Sequence, residues 1–278
     1  MPDARPTARG LRGLKLGTLL VGTSYAYDYD ISAYSFPFTP IEIHAGYLLE
    51  NKVSRCTLAA VSDAFAPGLE AYKGRPGLKT FTSAEEMIRS GEIDALVIAT
   101  PHFLHTSLGI EALQNGLHVM VEKPISAHKA DAERLIACAA ARPKQVFAGM
   151  FQMRVEPRYL KIRNLIRNGD LGEIVRVNWI ITDWFRTEAY YASGGWRATW
   201  KGEGGGVLLN QCLHQLDMLQ WLCGMPARVR GFCQLGRFHN IEVEDNITTY
   251  LEWRSEEHTS ELQSPAMISY AVSLDRKS

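Results

Sequence analysis

The chain lacks most of what marks the specialised classes of protein. It has no charge of either sign to spare: thirty lysines and arginines balance thirty aspartates and glutamates over 278 residues. That leaves no electrostatic footprint for a nucleic acid or an anionic membrane. Cysteine is scarce and scattered. Cys56, Cys138, Cys212, Cys223 and Cys233 form no Cys-x-x-Cys pair and no zinc-like cluster with the eight histidines. The sequence therefore offers neither a disulfide framework nor a metal site, which fits a reducing compartment and makes the cytoplasm the expected location. A long apolar run is missing too. The opening MPDARPTARGLRG is basic and rich in Pro and Gly, but no membrane-length apolar core follows it, so residues 1–13 read as a flexible tail. Small molecules, rather than nucleic acid or membrane, are the expected partners.

What is present is 46% hydrophobic and 22% charged residues, enough for one large domain or two of ordinary size. Through the first 150 residues short apolar runs alternate with helical stretches, the pattern of a parallel sheet covered on both faces. Strands are expected at Leu14 to Gly22, Cys56 to Val61, Ala95 to Thr100, His118 to Val121 and Gln145 to Phe151, rich in Val, Ile, Leu and Ala as doubly buried strands are. A capping box, Ser83-Ala-Glu-Glu86, opens one helix; others are expected from about Pro40, at His105 to Asn115 and at Ala127 to Ala141. After Pro157 the texture changes. A helix to Asn168 closes at Gly169, and a long alternating strand follows from Glu173 to Thr182. Beyond it come a Trp- and Gly-rich loop, one more helix, and at least two strands up to Trp253. The expected fold is α/β, a doubly wound parallel sheet over 14–150 followed by an α+β domain over 151–253.

In an open parallel sheet the ligand lies beyond the carboxyl ends of the strands. Asp63, just past the second strand, is placed to accept hydrogen bonds from a ribose 2′-hydroxyl and to repel a 2′-phosphate. It is equally the kind of residue that forms a turn or caps a helix. Thr100-Pro101 ends another strand with His105 one turn on, although Pro near a helix start is common in any case. HVMVEKPIS, residues 118–126, stops an apolar strand at Glu122-Lys123-Pro124. Hydride transfer at a carbinol carbon needs a cation or donor at the oxygen and a base for the proton; Lys123 suits the first need, while its bland alternative is a solvated lysine. In GGGVLLNQCLHQLDML, residues 204–219, Asn210, His214 and Asp217 are spaced i, i+4, i+7 and share one face if the stretch is helical. A histidine there suits acid and base work near neutral pH, or else lies on a solvated face.

Together TPHFLHTSLGIEALQNGLHVMVEKPIS, Trp196-Arg197 and GGGVLLNQCLHQLDML resemble the glucose-fructose oxidoreductase, inositol dehydrogenase and rhizopine catabolism MocA family over about residues 90 to 253. The resemblance implies a Rossmann domain followed by an α/β domain with a large, mostly antiparallel sheet often used for oligomerisation, and a homo-oligomer for the full-length form. It implies NAD as cofactor, with NADP the alternative, and hydride transfer to or from a sugar, cyclitol or related polyol. Lys123 would be the catalytic lysine, His214 the general acid/base and Asp217 the substrate-side acid. Glu122, Pro124, Thr100, Pro101 and His105 would lie toward the cofactor, and Trp196, Arg197 and Asn210 toward the substrate. The same resemblance admits an NAD-dependent glycosidase, and a noncatalytic dinucleotide-binding protein is the alternative outside catalysis.

Two departures stand out. Where the family has Gly-x-Gly-x-x-Gly, this chain keeps Gly22 and then runs through an aromatic, acidic stretch to Phe38. Either a long loop lets Gly22, Thr23 and Ser24 hold phosphate, or the reading frame is damaged there. And RSEEHTSELQS, Arg254 to Ser264, resembles the translation of a ligation adapter used in DNA sequencing, with ISYAV at Ile268 to Val272 resembling the next block. Residues 254–278 therefore read as a non-native tail, and the second domain as incomplete, with an unpaired sheet edge expected.

Overall fold

The apolar runs become parallel strands because most of their residues are apolar enough to be buried on both faces of a sheet. The computed structural model describes residues 14–20, 40–50, 52, 56–182, 186–192, 195–253 and 266–271. Contacts divide the chain into two units, Met1–Met150 and Phe151–Ser278.

Among the described residues the first unit holds six strands: β1 Leu14–Leu20, β2 Cys56–Asp63, β3 Lys79–Phe81, β4 Ala95–Ile98, β5 His118–Val121 and β6 Phe147–Gly149. They pair in the order β3-β2-β1-β4-β5-β6, all parallel. Helices α1 Pro40–Leu49, α2 Ala84–Arg89, α3 His105–Gln114 and α4 Lys129–Ala140 lie between them. Every residue of β4 is buried. Leu96 and Ile98 pack with Val119 and Val121 of β5, Leu108, Ala112 and Leu113 of α3, and Leu135 of α4. A second cluster joins Ala45 and Leu48 of α1 to Leu58, Val61, Leu69 and Tyr72. Ser83 caps α2 by accepting the Glu86 N–H at 3.2 Å, a contact worth about 1 kcal/mol. Two expected strands are shorter than their apolar runs. Ala95 to Thr100 pairs only to Ile98, because the main chain then turns to bring the Thr100 carbonyl against a histidine. Gln145 lies outside β6, since its side-chain amide donates to the Leu113 and Leu117 carbonyls at 2.8 and 2.7 Å and closes the end of α3.

The second unit comprises α5 Pro157–Arg167, β7 Val177–Ile181, α6 Glu188–Ala192, α7 Leu213–Cys223, β8 Arg228–Leu235, β9 Glu244–Glu252 and β10 Ala266–Ala271. The sheet order is β7-β10-β9-β8, with β9 antiparallel to both neighbours and β10 parallel to β7. The long strand expected from Glu173 to Thr182 is only β7, since 173–176 have no strand partner among the described residues. Within this sheet β7 and β8 form the edges, and β9 is paired on both sides. Residues 266–271, read from the sequence as part of the non-native tail, supply main-chain partners to β7 and β9 in continuous register. Ile181, Val207, Cys212, Leu219, Ile247 and Leu251 form the core between sheet and α7. No helix among the described residues is long and apolar enough to cross a membrane.

Candidate functional site: two clusters of polar side chains

In the first unit the strand order reverses between β1 and β4, where open sheets take their ligands beyond the carboxyl ends. Asp63 is the last residue of β2, only 2% exposed, and its Oδ1 accepts the Phe65 N–H at 2.8 Å. Thr100, two residues past β4, is buried. Gly22, Thr23 and Ser24 lie outside the described residues.

His105 begins α3 and is fully buried. The ring expected to face a cofactor is committed to the main chain instead: Nε2 lies 2.8 Å from the Thr100 carbonyl and Nδ1 2.7 Å from that of Pro124. It thus ties the turn after β4 to the turn after β5. A neutral imidazole has one N–H, so it donates to only one of these oxygens, and the cation to both. Burial dominates and holds His105 below its ordinary value, against the pull of the two carbonyls and Glu122 and with a smaller push from Lys123. The folded chain therefore binds fewer protons here than the unfolded one, and stability is lost as pH falls below the ordinary 6.5 toward the lowered folded value. Urea midpoints followed by circular dichroism from about pH 7 to about pH 5 should fall more steeply for the parent than for His105→Gln; parallel profiles would contradict this.

Glu122 is one residue past β5, with its N–H on the Ile98 carbonyl at 2.8 Å. Its Oε2 accepts the Lys123 N–H at 3.1 Å, and its Oε1 lies 2.9 Å from Nε2 of His44 on α1. Burial opposes ionisation of this carboxyl, but the His44 hydrogen bond and charge and the Lys123 N–H outweigh it and hold Glu122 below the usual range. The Lys123-Pro124 peptide is cis, and Pro124 is buried. Sequence reasoning missed His44 altogether. It sits 78 residues from its partner, in a helix where nothing in the sequence pattern sets it apart from its apolar neighbours.

In the second unit Asn210 is not on the helix that carries His214. It lies in the turn before α7, and its amide donates to Oε1 of Glu203 at 2.5 Å. Glu203, only 2% exposed, also accepts the Ala198 N–H at 2.6 Å. The polar end of Asn210, expected to meet substrate, thus braces a loop, because a buried carboxylate needs donors more than a solvated ligand does. The same loop holds Trp196 and Arg197. Arg197 lies over the Tyr190 and Trp196 rings at 4.5 and 4.7 Å and donates to the Tyr190 hydroxyl at 2.9 Å. Gly202 is required here, since a Cβ would stand 2.1 Å from the Trp196 carbonyl.

His214 is the second residue of α7, with its ring nearly perpendicular to that of Phe151 at 6.1 Å. One turn on, both oxygens of Asp217 accept the Arg154 guanidinium, Nε at 2.8 Å and Nη2 at 2.5 Å. Such a fork-on-fork pair fixes orientation. It means that Asp217, expected as a substrate-side acid, has its acceptors engaged by Arg154, which the sequence reading passed over. The turn that launches α7 is held by Glu244 at the start of β9, whose Oε2 and Oε1 accept the Gly206 and Leu208 N–H groups at 3.0 and 3.1 Å.

The first unit suits a dinucleotide as far as it is described. Its strand order has the central reversal, a buried carboxylate ends β2, and Thr100 and the Glu122-Lys123-Pro124 turn end β4 and β5. Comparison with known proteins bears on the same point. Residues 38–150 match the model for an oxidoreductase family with an NAD-binding Rossmann fold, and residues 159–261 match a GFO/IDH/MocA C-terminal domain. The first match begins at the end of the aromatic stretch that replaces the glycine turn. The rhizopine catabolism protein MocA of Rhizobium meliloti is 31% identical over 190 residues, 68% of this chain and 56% of the relative. An inositol 2-dehydrogenase of Leifsonia xyli is 26% identical over 175 residues, 63% of this chain and 48% of the relative. The chain thus spans about half the length of these relatives. The crystal structure of the WlbA dehydrogenase from Bordetella pertussis, in complex with NADH and UDP-GlcNAcA, superimposes with a TM-score of 0.78 at 26% identity, covering 95% of this chain and 74% of that one. Two family models in order along the chain, joined to the strand order and the strand-end residues, establish that it belongs to the Gfo/Idh/MocA oxidoreductase family.

Proposed function

We propose that this chain carries the cofactor and catalytic residues of an NAD-dependent dehydrogenase acting on a carbinol carbon of a sugar, cyclitol or related polyol. The observation that carries the reading is the placement of Lys123 at the carboxyl end of β5, in a turn fixed on one side by Glu122 and on the other by the contact of His105 with the Pro124 carbonyl. Relatives named inositol 2-dehydrogenase, and WlbA structures holding NADH with a sugar nucleotide, support the substrate class. NAD, when bound, supplies the hydride acceptor. Lys123 donates a hydrogen bond through Nζ to the substrate oxygen and stabilises the charge that develops there. A ring nitrogen of His214 takes the hydroxyl proton in oxidation and returns it in reduction. Asp217 and Arg154 act by holding one another, and Trp196 and Arg197 line the substrate.

Fluorescence titration with NADH is the first test: saturable binding is expected, and a flat titration would remove the reading. Asp63 argues for NAD over NADP. Asp63→Ala should narrow the preference for NADH over NADPH by about five- to tenfold, since a like-charge contact at about 4 Å costs about 1 kcal/mol when water screens it fully. An unchanged ratio of dissociation constants would show that Asp63 does not meet the ribose.

A further inference from the structure

We infer that His44 is a positioning residue for Lys123, acting through Glu122 to fasten helix α1 to the lysine turn. The inference rests on the proposed role of Lys123 but can be tested apart from it.

The geometry is a relay of two contacts. Ala45 and Leu48, fully and almost fully buried, seat α1 against Leu58, Val61, Leu69 and Tyr72. His44 precedes Ala45 by one residue, about 100° round the helix, and so lies at the border of the packed face with its side chain 17% exposed. From there Nε2 reaches Oε1 of Glu122 at 2.9 Å. An ionised carboxylate only accepts, so Nε2 must carry the proton. The second oxygen, Oε2, accepts the main-chain N–H of Lys123 at 3.1 Å. Each contact uses one oxygen, and neither leaves the carboxylate free to turn.

The rest of the turn shows why this relay matters. The Glu122 N–H continues the β4–β5 ladder to Ile98, and the Pro124 carbonyl is taken by His105. Pro124 has no N–H to contribute. Between those two fixings the side chain of Glu122 holds the Lys123 main-chain N–H, and His44 holds Glu122. Were His44 absent, a carboxylate only 14% exposed would lose its charge-assisted donor while remaining largely out of water, a costly state relieved by protonation or by swinging away from the Lys123 N–H. Either response frees the lysine turn while leaving the strands intact.

The test is amide hydrogen exchange by NMR on the ligand-free chain, with His44→Ala and His44→Gln. His44→Ala should speed exchange of the Lys123 amide by about tenfold or more, with the β4 and β5 amides unchanged, as expected for a local opening. His44→Gln keeps an N–H donor and should restore most of the protection. Uniform acceleration across α1, β4 and β5 would mean that His44 merely stabilises the fold, and no change at Lys123 would mean that Glu122 needs no brace; either overturns the inference. Should both variants fail to fold, the parent decides: the imidazole 15N spectrum must show His44 protonated at Nε2, with a shift that moves in Glu122→Gln, and a bare Nε2 would end the proposal. If exchange behaves as expected while Lys123→Ala retains full turnover, the brace stands and the catalytic role of Lys123 falls.

Discussion

Lys123→Ala is expected to lower kcat by about two to four orders of magnitude while changing the NADH dissociation constant little, the usual range for removing a charge-stabilising or proton-transferring group. The expectation follows from where the lysine sits. Its main chain is held by Glu122 on one side and, through Pro124, by His105 on the other, so its amine works from a fixed base. A fixed cation matters most where charge develops on the substrate oxygen during hydride transfer, and contributes little to ground-state binding of the cofactor. Lys123→Arg should recover only part of the rate, because a planar guanidinium differs in shape and reach from a compact ammonium. The experiment needs the sugar or polyol that the parent oxidises, found by screening with NAD. A Lys123→Ala protein that turns that substrate over within about threefold of the parent rate would remove Lys123 from the reaction.

The same residues show what a sequence discloses and what it withholds. β4 and β5 are readable because three or four apolar residues between turns leave few choices for a parallel strand, and Glu122-Lys123-Pro124 is conspicuous because charge rarely ends such a run. α2 announces itself through Ser83 and Glu86. The partners of these residues are another matter. His44 and Glu122 are 78 residues apart, Arg154 and Asp217 63, Gly206 and Glu244 38. No local period links them, so His44 read as part of an unremarkable helix, Asp217 as an available acid, and Glu244 drew no notice at all. Asn210 was misplaced for a related reason. The spacing from Asn210 to Asp217 is helical, but Glu203 and Glu244 bind the backbone and side chains of the preceding turn, and α7 starts only at Leu213. β3, with three residues, and α6, with five, are too short to show a period at all.

Glu244 is where that hidden pairing should matter most for stability. Its carboxylate accepts the N–H groups of Gly206 and Leu208, its own carbonyl accepts that of Val207 at 3.0 Å, and the residue is only 5% exposed. Gly206 packs against it so closely that a Cβ would stand 2.0 Å from the Glu244 carbonyl, so the turn cannot shift toward β9 to find another acceptor. Glu244→Ala therefore leaves two N–H groups in a largely dry place without partners, at about 1–3 kcal/mol each, for a total loss on the order of 3–5 kcal/mol. Against that stands the cost of burying the carboxylate itself, which the alanine no longer bears; but a lost charged acceptor with its donors still buried is the expensive direction of that exchange. Glu244→Gln should fall between, since its amide oxygen accepts one N–H and its amide nitrogen meets the other. The six tryptophans all lie beyond residue 150, so tryptophan fluorescence in a urea titration reads the second unit directly. A loss below about 1 kcal/mol for Glu244→Ala would mean that water replaces the carboxylate at little cost, and that the main-chain bonds of the turn launching His214 and the Asn210–Glu203 pair suffice to hold it.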